Sequence, residues 1–495
     1  MTLFQCLPAV SIFLCMIAAI FSSGLSGKNA RRLSILLLST VSVLSLLTLI
    51  YTLGTGESFV FRMGRFPAPW GNEIRGGILE AMLALLFSVI MLISVLGGMK
   101  HIDVEVDPKK LNLYFIMIDL MLASLLALTY TNDMFTAYVF VEINTIAAAG
   151  LIMIRQIGRT YVAAIRYLIM SQLGSGLFLL SLALLYSLTG QLLMSPAKEA
   201  VAGLLSSGAY GEPLIITIAL MTAGLSIKSG LYPFHSWMPD AYGYSTAASS
   251  SILSGLVSKG YIVLLIKIYY RVIGLDIIMH GKISNILFVF GLAGMVMGSI
   301  SAMRESDIRR MTAFSSVAQI GYVYMGLGLG TEYGVIASVF HILTHAVTKP
   351  LLFITATGLS DVSGGSKRFH DLRGAGYRNR IAGVGFTVGA LSMVGLPLFA
   401  GFISKLLFAE AAVRDPSKML PALIVLSIST ILNAVYFLRT VINIYTPVSG
   451  RTKRISGSNP LFVFAVLSFT LINIGLGLLS QPVVDAISAG LNIFG

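Results

Sequence analysis

At 495 residues, of which 56% are hydrophobic and only 11% charged, the chain is too apolar for an ordinary soluble globular protein, and a mean hydropathy of +0.87 points to a polytopic membrane protein. The net charge of +13 is scattered through loops rather than gathered on one basic, aromatic-rich face, which argues against a nucleic-acid partner.

Apolar runs near the ~20 residues that a bilayer core requires, separated by short polar joints, predict an all-α protein of about fourteen transmembrane helices. In chain order they lie near 4–22, 33–53 and 77–98; then 112–130, 134–153, 163–189, 214–233 and 247–271; then 284–303, 310–329, 334–359, 381–408 and 420–443; and finally 460–480. The division that follows is an N-terminal three-helix region (1–110), a five-helix repeat (111–275), a second five-helix repeat (276–445) and a C-terminal helix (446–495). Five is odd, so the second repeat is expected upside down relative to the first.

The first span has no basic residues ahead of it and reads as a retained helix rather than a cleaved signal. Its two cysteines, Cys6 and Cys15, have a spacing that suits neither a metal site nor a local disulfide. Most of the 34 lysines and arginines fall in joints after odd-numbered spans, among them Lys28, Arg31, Arg32, Lys367, Arg368, Arg373, Arg451, Lys453 and Arg454. By the positive-inside rule those joints are cytoplasmic and both termini extracytoplasmic, as expected of a multi-pass protein of the cell (inner) membrane. The longest polar stretch, Ser360 to Arg380, is too short to carry a fold of its own.

Helix breakers single out two spans. The seventh reads Lys228-Ser-Gly-Leu-Tyr-Pro233-Phe-His235-Ser-Trp-Met-Pro239, and the twelfth reads Gly395-Leu-Pro397-Leu-Phe-Ala-Gly401-Phe-Ile-Ser-Lys405. A break in a transmembrane helix is tolerated only where it is buried or lines a cavity. A pair of interrupted helices, each with a lysine close to the break, is the pattern of a transporter built from inverted repeats.

Ionisable residues inside membrane spans are costly unless paired or hydrated, and mark functional sites by default. Glu142 lies eight residues into its span, about 12 Å along the helix axis. Lys228 and Lys259 lie near the middle of theirs. Burial favours the neutral form of an amine and a nearby carboxylate favours the charged one, so a Glu142–Lys228 pair can load and release a proton; a static pair that fixes helix register is the competing reading.

In the eleventh span His341, His345 and Lys349 recur every four residues and share one face. Lacking a glutamate after His341 and a third ligand, the two histidines read as a proton relay between Lys259 and Lys405 rather than as a metal site. Lys405 ends the row. Asp119 and Glu80 are weaker candidates, as is His235 beside the first break. No phosphate-binding loop, dinucleotide fingerprint, haem motif or iron–sulfur cysteine pattern is present, so no cofactor, metal or redox chemistry is expected on this chain.

With Glu142, the Lys228-to-Tyr242 string, Ser-Lys259-Gly-Tyr, His341-x-x-x-His345-Ala-x-x-Lys349 and Gly401-Phe-Ile-Ser-Lys405 in this order, the chain resembles the antiporter-like family. That family comprises the large subunits of multisubunit Mrp sodium/proton antiporters, the antiporter-like subunits of respiratory complex I and their counterparts in membrane-bound hydrogenases. The match covers roughly residues 110 to 445. It implies the fourteen-helix fold with inverted repeats, a coupling pair in Glu142 and Lys228, and a lateral proton path through Lys259, His341, His345, Lys349 and Lys405. It also implies partner membrane subunits, with protons and sodium as the transported ions. A lysine at 405, where one complex I branch has glutamate, favours the Mrp D-type subunit or the hydrogenase counterpart, and of these the Mrp D-type subunit is the main reading. The alternative is an ion-pumping subunit of a redox-driven complex.

Overall fold

The computed structural model describes residues 3–66, 71–208, 211–279, 282–447 and 459–494. Arg451, Lys453 and Arg454, used above for topology, lie outside them.

Among the described residues the fold is all-α apart from one hairpin. Helices α1 (Leu3–Ser23), α2 (Gly27–Thr55) and α3 (Ile78–Gly97) form the N-terminal group, and strands Phe59–Arg62 and Glu73–Gly76 pair antiparallel between α2 and α3. Next come α4 (Leu111–Tyr130), α5 (Met134–Met153), α6 (Gly158–Thr189), α7 (Gly211–Ser229), α8 (Met238–Tyr244) and α9 (Ala247–Ile273). The second series is α10 (Lys282–Arg304), α11 (Ile308–Gly328), α12 (Glu332–Asp361), α13 (Arg380–Val394), α14 (Ala400–Val413) and α15 (Met419–Ile444). Two helices, α16 (Pro460–Leu478) and α17 (Ser480–Asn492), replace the single C-terminal helix expected over 446–495.

Among the described residues twelve helices are long and apolar enough to cross a membrane. The remaining two expected crossings are α11 and the broken α13/α14. α11 is 21 residues long but less apolar, because Thr312, Ser315, Ser316 and Gln319 are all turned into the bundle and buried.

Both breaks start at a glycine, and the prolines lie in the turns that follow rather than inside helices. α7 stops at Ser229, four residues short of the expected end, where Gly230 takes φ +80°; a Cβ there would run into Met238 Sδ. The chain passes through Pro233 and resumes at Met238. α13 stops at Val394, Gly395 takes φ +89° and Leu398 is held at φ +86°, an uncommon conformation for a residue with a side chain. Glycine ends each helix and proline keeps it from resuming at once.

α9 and α12 run through the middle of the bundle. α12 is 30 residues long with Pro350 inside it, and α9 contains two π turns, Leu253–Val257 and Tyr269–Ile273. The first π turn lies against the proline: a Cβ on Gly255 would be 2.9 Å from Pro350 Cγ. Two irregular stretches of backbone therefore meet deep in the protein, where unsatisfied carbonyls can serve side chains.

Candidate functional site

Helices α5, α6 and α7 converge on Lys228. Its Nζ donates to Thr145 Oγ1 at 2.7 Å and Ser171 Oγ at 2.9 Å, and lies 3.8 Å from Glu142 Oε1. Glu142 accepts from Gln172 at 3.1 Å and from Ser175. Lysine and carboxylate are thus within ion-pair range, while hydroxyls make the closer contacts to the ammonium. The lysine side chain is fully buried and that of Glu142 is 22% exposed, so the carboxylate opens toward the outer surface of the chain. Close packing makes this possible: a Cβ on Gly174 would meet Gly224 O at 2.7 Å and Lys228 Cγ at 2.9 Å.

Tyr261 of α9 closes the inner side, its ring centroid 5.2 Å from Lys228 Nζ, a cation–π distance. Its hydroxyl donates to Asn144 Oδ1 at 2.9 Å, and Asn144 Nδ2 donates to Ser124 Oγ at 2.8 Å.

Beyond Tyr261, Lys259 turns back on its own helix and donates to the carbonyl of Ser254, inside the first π turn. Lys349 donates to Thr312 O at 2.9 Å and to Ser315 Oγ. His345 lies on α12 one turn from His341, the ring centroids 6.0 Å apart. The Nδ1 of His341 is 2.6 Å from Ser404 Oγ, and its ring stacks on Tyr322 at 5.6 Å. Lys405 Nζ donates to Val394 O at 2.6 Å and sits 5.9 Å from the Tyr322 centroid. The Nε2 atoms of His341 and His345 and the Gln319 amide nitrogen are buried with no hydrogen-bond partner in the protein; ordered water commonly satisfies groups of this kind.

The weaker candidates stand apart from this row. Asp119 is buried, accepts from Ser34 Oγ at 2.5 Å, and lies near Cys15 under α1 and α2. His235 stacks on Tyr232 at 5.3 Å within the first break, and its Nδ1 is buried without a partner. Pro233 and Pro397 shape the two turns. Glu80 pairs with Arg271, a contact that the sequence did not reveal.

Sequence reasoning missed two buried cations of α9. Lys267 donates to the end carbonyls of α4, Leu128 at 2.7 Å and Thr131 at 3.0 Å, and Arg271 reaches Phe494 O at 2.6 Å as well as Glu80. Their four-residue spacing near the end of an apolar span was the available signal. Among the described residues no three His, Cys, Asp or Glu side chains gather as a metal site, so His341 and His345 remain an isolated pair.

Comparison with known proteins agrees with this architecture. Residues 131–432 match the family described as NADH:quinone oxidoreductase/Mrp antiporter, TM. A protein of Desulforudis audaxviator named NADH-quinone oxidoreductase subunit N is 33% identical over 397 residues, covering 80% of this chain and 77% of its own. A D-type Na(+)/H(+) antiporter subunit of Alkalihalophilus pseudofirmus is 24% identical over 73% of this chain and 71% of its own. A chain of the Mrp complex from Dietzia shares the fold, with a TM-score of 0.87 over 100% of this chain and 98% of that one at 22% identity. With its broken crossings and buried lysines, the chain belongs to the family of antiporter-like membrane subunits common to NADH:quinone oxidoreductases and Mrp antiporters.

Proposed function

We propose that the row Glu142, Lys228, Lys259, Lys349, His345, His341 and Lys405 conducts protons laterally through this chain, and that the chain works as one subunit of a larger membrane complex. The observation that carries this reading is the geometry of the first pair: a fully buried ammonium 3.8 Å from a partly exposed carboxylate, close enough for a small movement to make or break direct contact. Contact favours the ammonium and separation favours the amine, so movement of Glu142 loads Lys228 or releases its proton toward Lys259. The unpartnered His341 and His345 nitrogens suit a hydrated relay, and Lys405 is its far terminus.

The breaks at Gly230 and Gly395 fall in the fourth crossing of each five-helix series, which supports inverted repeats over 111–275 and 276–445. Both termini face the extracytoplasmic side of the cell membrane in this reading. Lysine at 405 supports an Mrp D-type subunit of a sodium/proton antiporter. A second reading, the proton-pumping subunit of a redox-driven complex, is favoured by the 33% identity to a protein named NADH-quinone oxidoreductase subunit N.

The test is proton and sodium movement in inverted vesicles holding the complete native complex, for wild type, Glu142→Ala, Lys228→Ala and Lys405→Ala at matched assembly. Loss of transport in all three is expected; wild-type rates in all three would reduce the row to structural ion pairs. A requirement for electron donor selects the redox-driven complex, and its absence the antiporter.

A further inference from the structure

Topology asks for positive charge on one face of the molecule, but not for its convergence on one hollow. A cavity of about 250 Å³ lies on the face that carries the joints after α10, α12 and α15. Arg373, from the joint after α12, and Arg439, from α15, both line it, and neither guanidinium has an acceptor among the described residues.

The other polar groups of the lining are already engaged. The Glu305 carboxylate accepts from two nitrogens of Arg310, at 3.0 and 3.1 Å. Asn443 gives its amide to Phe369 O at 2.6 Å, and the Thr440 and Thr446 hydroxyls donate back along α15 to Tyr436 O and Ile442 O, each at 2.8 Å. What remains on offer is two permanently charged, fork-shaped donors, the chemistry that receives a phosphate.

The setting narrows the choice of anion. α15 is 26 residues long, more than the ~20 that a bilayer core requires, and Arg439 lies five residues before its end at Ile444, about 8 Å along the axis. That is headgroup depth. Ile442, itself in the cavity wall, begins an exposed apolar stripe that continues through Leu438, Val435 and Ile431 toward the middle of the helix; steps of four, three and four keep it on one face. Acyl chains laid along this stripe bring a phosphate to the two arginines, whereas a free phosphate has no use for it. A zwitterionic headgroup carries an ammonium as well, and the cavity has no carboxylate left to receive one.

We propose that Arg373 and Arg439 form a binding site for the phosphodiester headgroup of an anionic phospholipid whose acyl chains lie along the outer face of α15. Basic pockets between transmembrane helices are suited to such headgroups. Bound there, the lipid ties the joint after α12 to the end of α15. The site does not depend on the proton-conducting reading of the buried row.

The experiment titrates the complete complex, exchanged into mild detergent, with phosphatidylglycerol, phosphatidylcholine or inorganic phosphate. Bound lipid is counted by native mass spectrometry, and thermal unfolding of the same samples is the second readout. The variants are Arg373→Gln, Arg439→Gln, their double, Arg439→Lys and, as a control in a different basic joint, Arg32→Gln. Wild type is expected to hold about one phosphatidylglycerol more than the double variant, with binding weakened roughly fivefold in each single glutamine variant and unchanged in Arg32→Gln. Arg439→Lys should fall between wild type and Arg439→Gln, because an ammonium keeps the charge but not the fork; it carries the test should a glutamine variant fail to assemble. Equal retention by wild type and the double variant would overturn the site, as would a wild-type complex that takes up no phosphatidylglycerol because a neighbouring subunit fills the cavity. Phosphatidylcholine bound as tightly as phosphatidylglycerol would overturn the anionic assignment, and stabilisation by inorganic phosphate without lipid uptake would reduce the site to one for free anions.

Discussion

Lys228 occupies the last turn before the break at Gly230, whereas Lys405 occupies the second turn after the break at Gly395. The first points its ammonium at two hydroxyls with a carboxylate behind them. The second reaches back across the break to Val394 O, the last residue of the preceding helix, where the helix dipole is negative. One lysine is balanced by a side chain that can move and is partly exposed, the other by a backbone that cannot. The difference implies a division of labour: Lys228 is adjustable from outside the chain, through Glu142, while Lys405 is a receiver with a fixed environment. Lys259 and Lys349 also lean on carbonyls, so the Glu142 pair is the exception in the row.

The sharpest way to break this comparison is arginine at each end. Lys228→Arg and Lys405→Arg keep a positive charge and the capacity to donate, but arginine does not release its proton. Both are expected to assemble and to lose transport by about 100-fold or more; a transporting Lys405→Arg complex would make that residue a static cation. Glu142→Gln is expected to cost roughly tenfold or more, while the same isosteric logic has no counterpart around Lys405, which pairs with no carboxylate among the described residues. A rate within about twofold of wild type for Glu142→Gln would erase the distinction between the two lysines.

A smaller effect is expected from Gly174→Ala. The added methyl would press on the Gly224 carbonyl and the Lys228 side chain, forcing α6 and α7 apart at a cost of about 1–3 kcal/mol. Thermal unfolding of the purified complex should register that loss, with transport slowed severalfold. Gly401→Ala is the matching perturbation at the second break, because a Cβ there would run into Ser392 O, and it should disturb Lys405 rather than Lys228.

The mildest prediction lies outside the membrane. Lys367, in the joint after α12, donates to Gly243 O at 3.1 Å, and burial, reinforced by Arg309, pushes its ammonium down to about 7 from the usual 10.5. The unfolded chain then binds more protons than the folded one between those values, so stability rises with pH from about 7 upward and the cost of the charge is fully felt below 7. Replacing the residue by Lys367→Met should flatten the melting temperature between about pH 7 and 9; an unchanged slope would assign it to other groups.

How much of this could be read from the sequence depended on contrast. A charge in an apolar span is visible at once, and Glu142, the four lysines and the two histidines were found that way, as was the polytopic all-α architecture. Tyr261 and Tyr322 gave no such contrast, since tyrosine occurs throughout the spans and a helix apolar on every side does not reveal which face meets the relay. Lys267 and Arg271 were hidden by position, lying near a span end where a charge ordinarily reaches water, and with them the partner of Glu80. The breaks were legible, but their starting points were not: proline drew attention while glycine with positive φ did the work of ending each helix. The π turns were unreadable, because their residues continue the apolar pattern without interruption.

The π turn at Leu253–Val257 has a consequence for descent as well as for chemistry. Such a turn holds one residue more than the α turn it replaces. Loss of a single codon there would restore regular pitch while leaving all that follows on the same face, and would return to the regular ladder the Ser254 carbonyl to which Lys259 now donates. Within this short stretch a one-residue deletion is absorbed by the turn, so related chains that lack one residue here are expected to keep the central lysine in the row and to differ in the carbonyl that holds it.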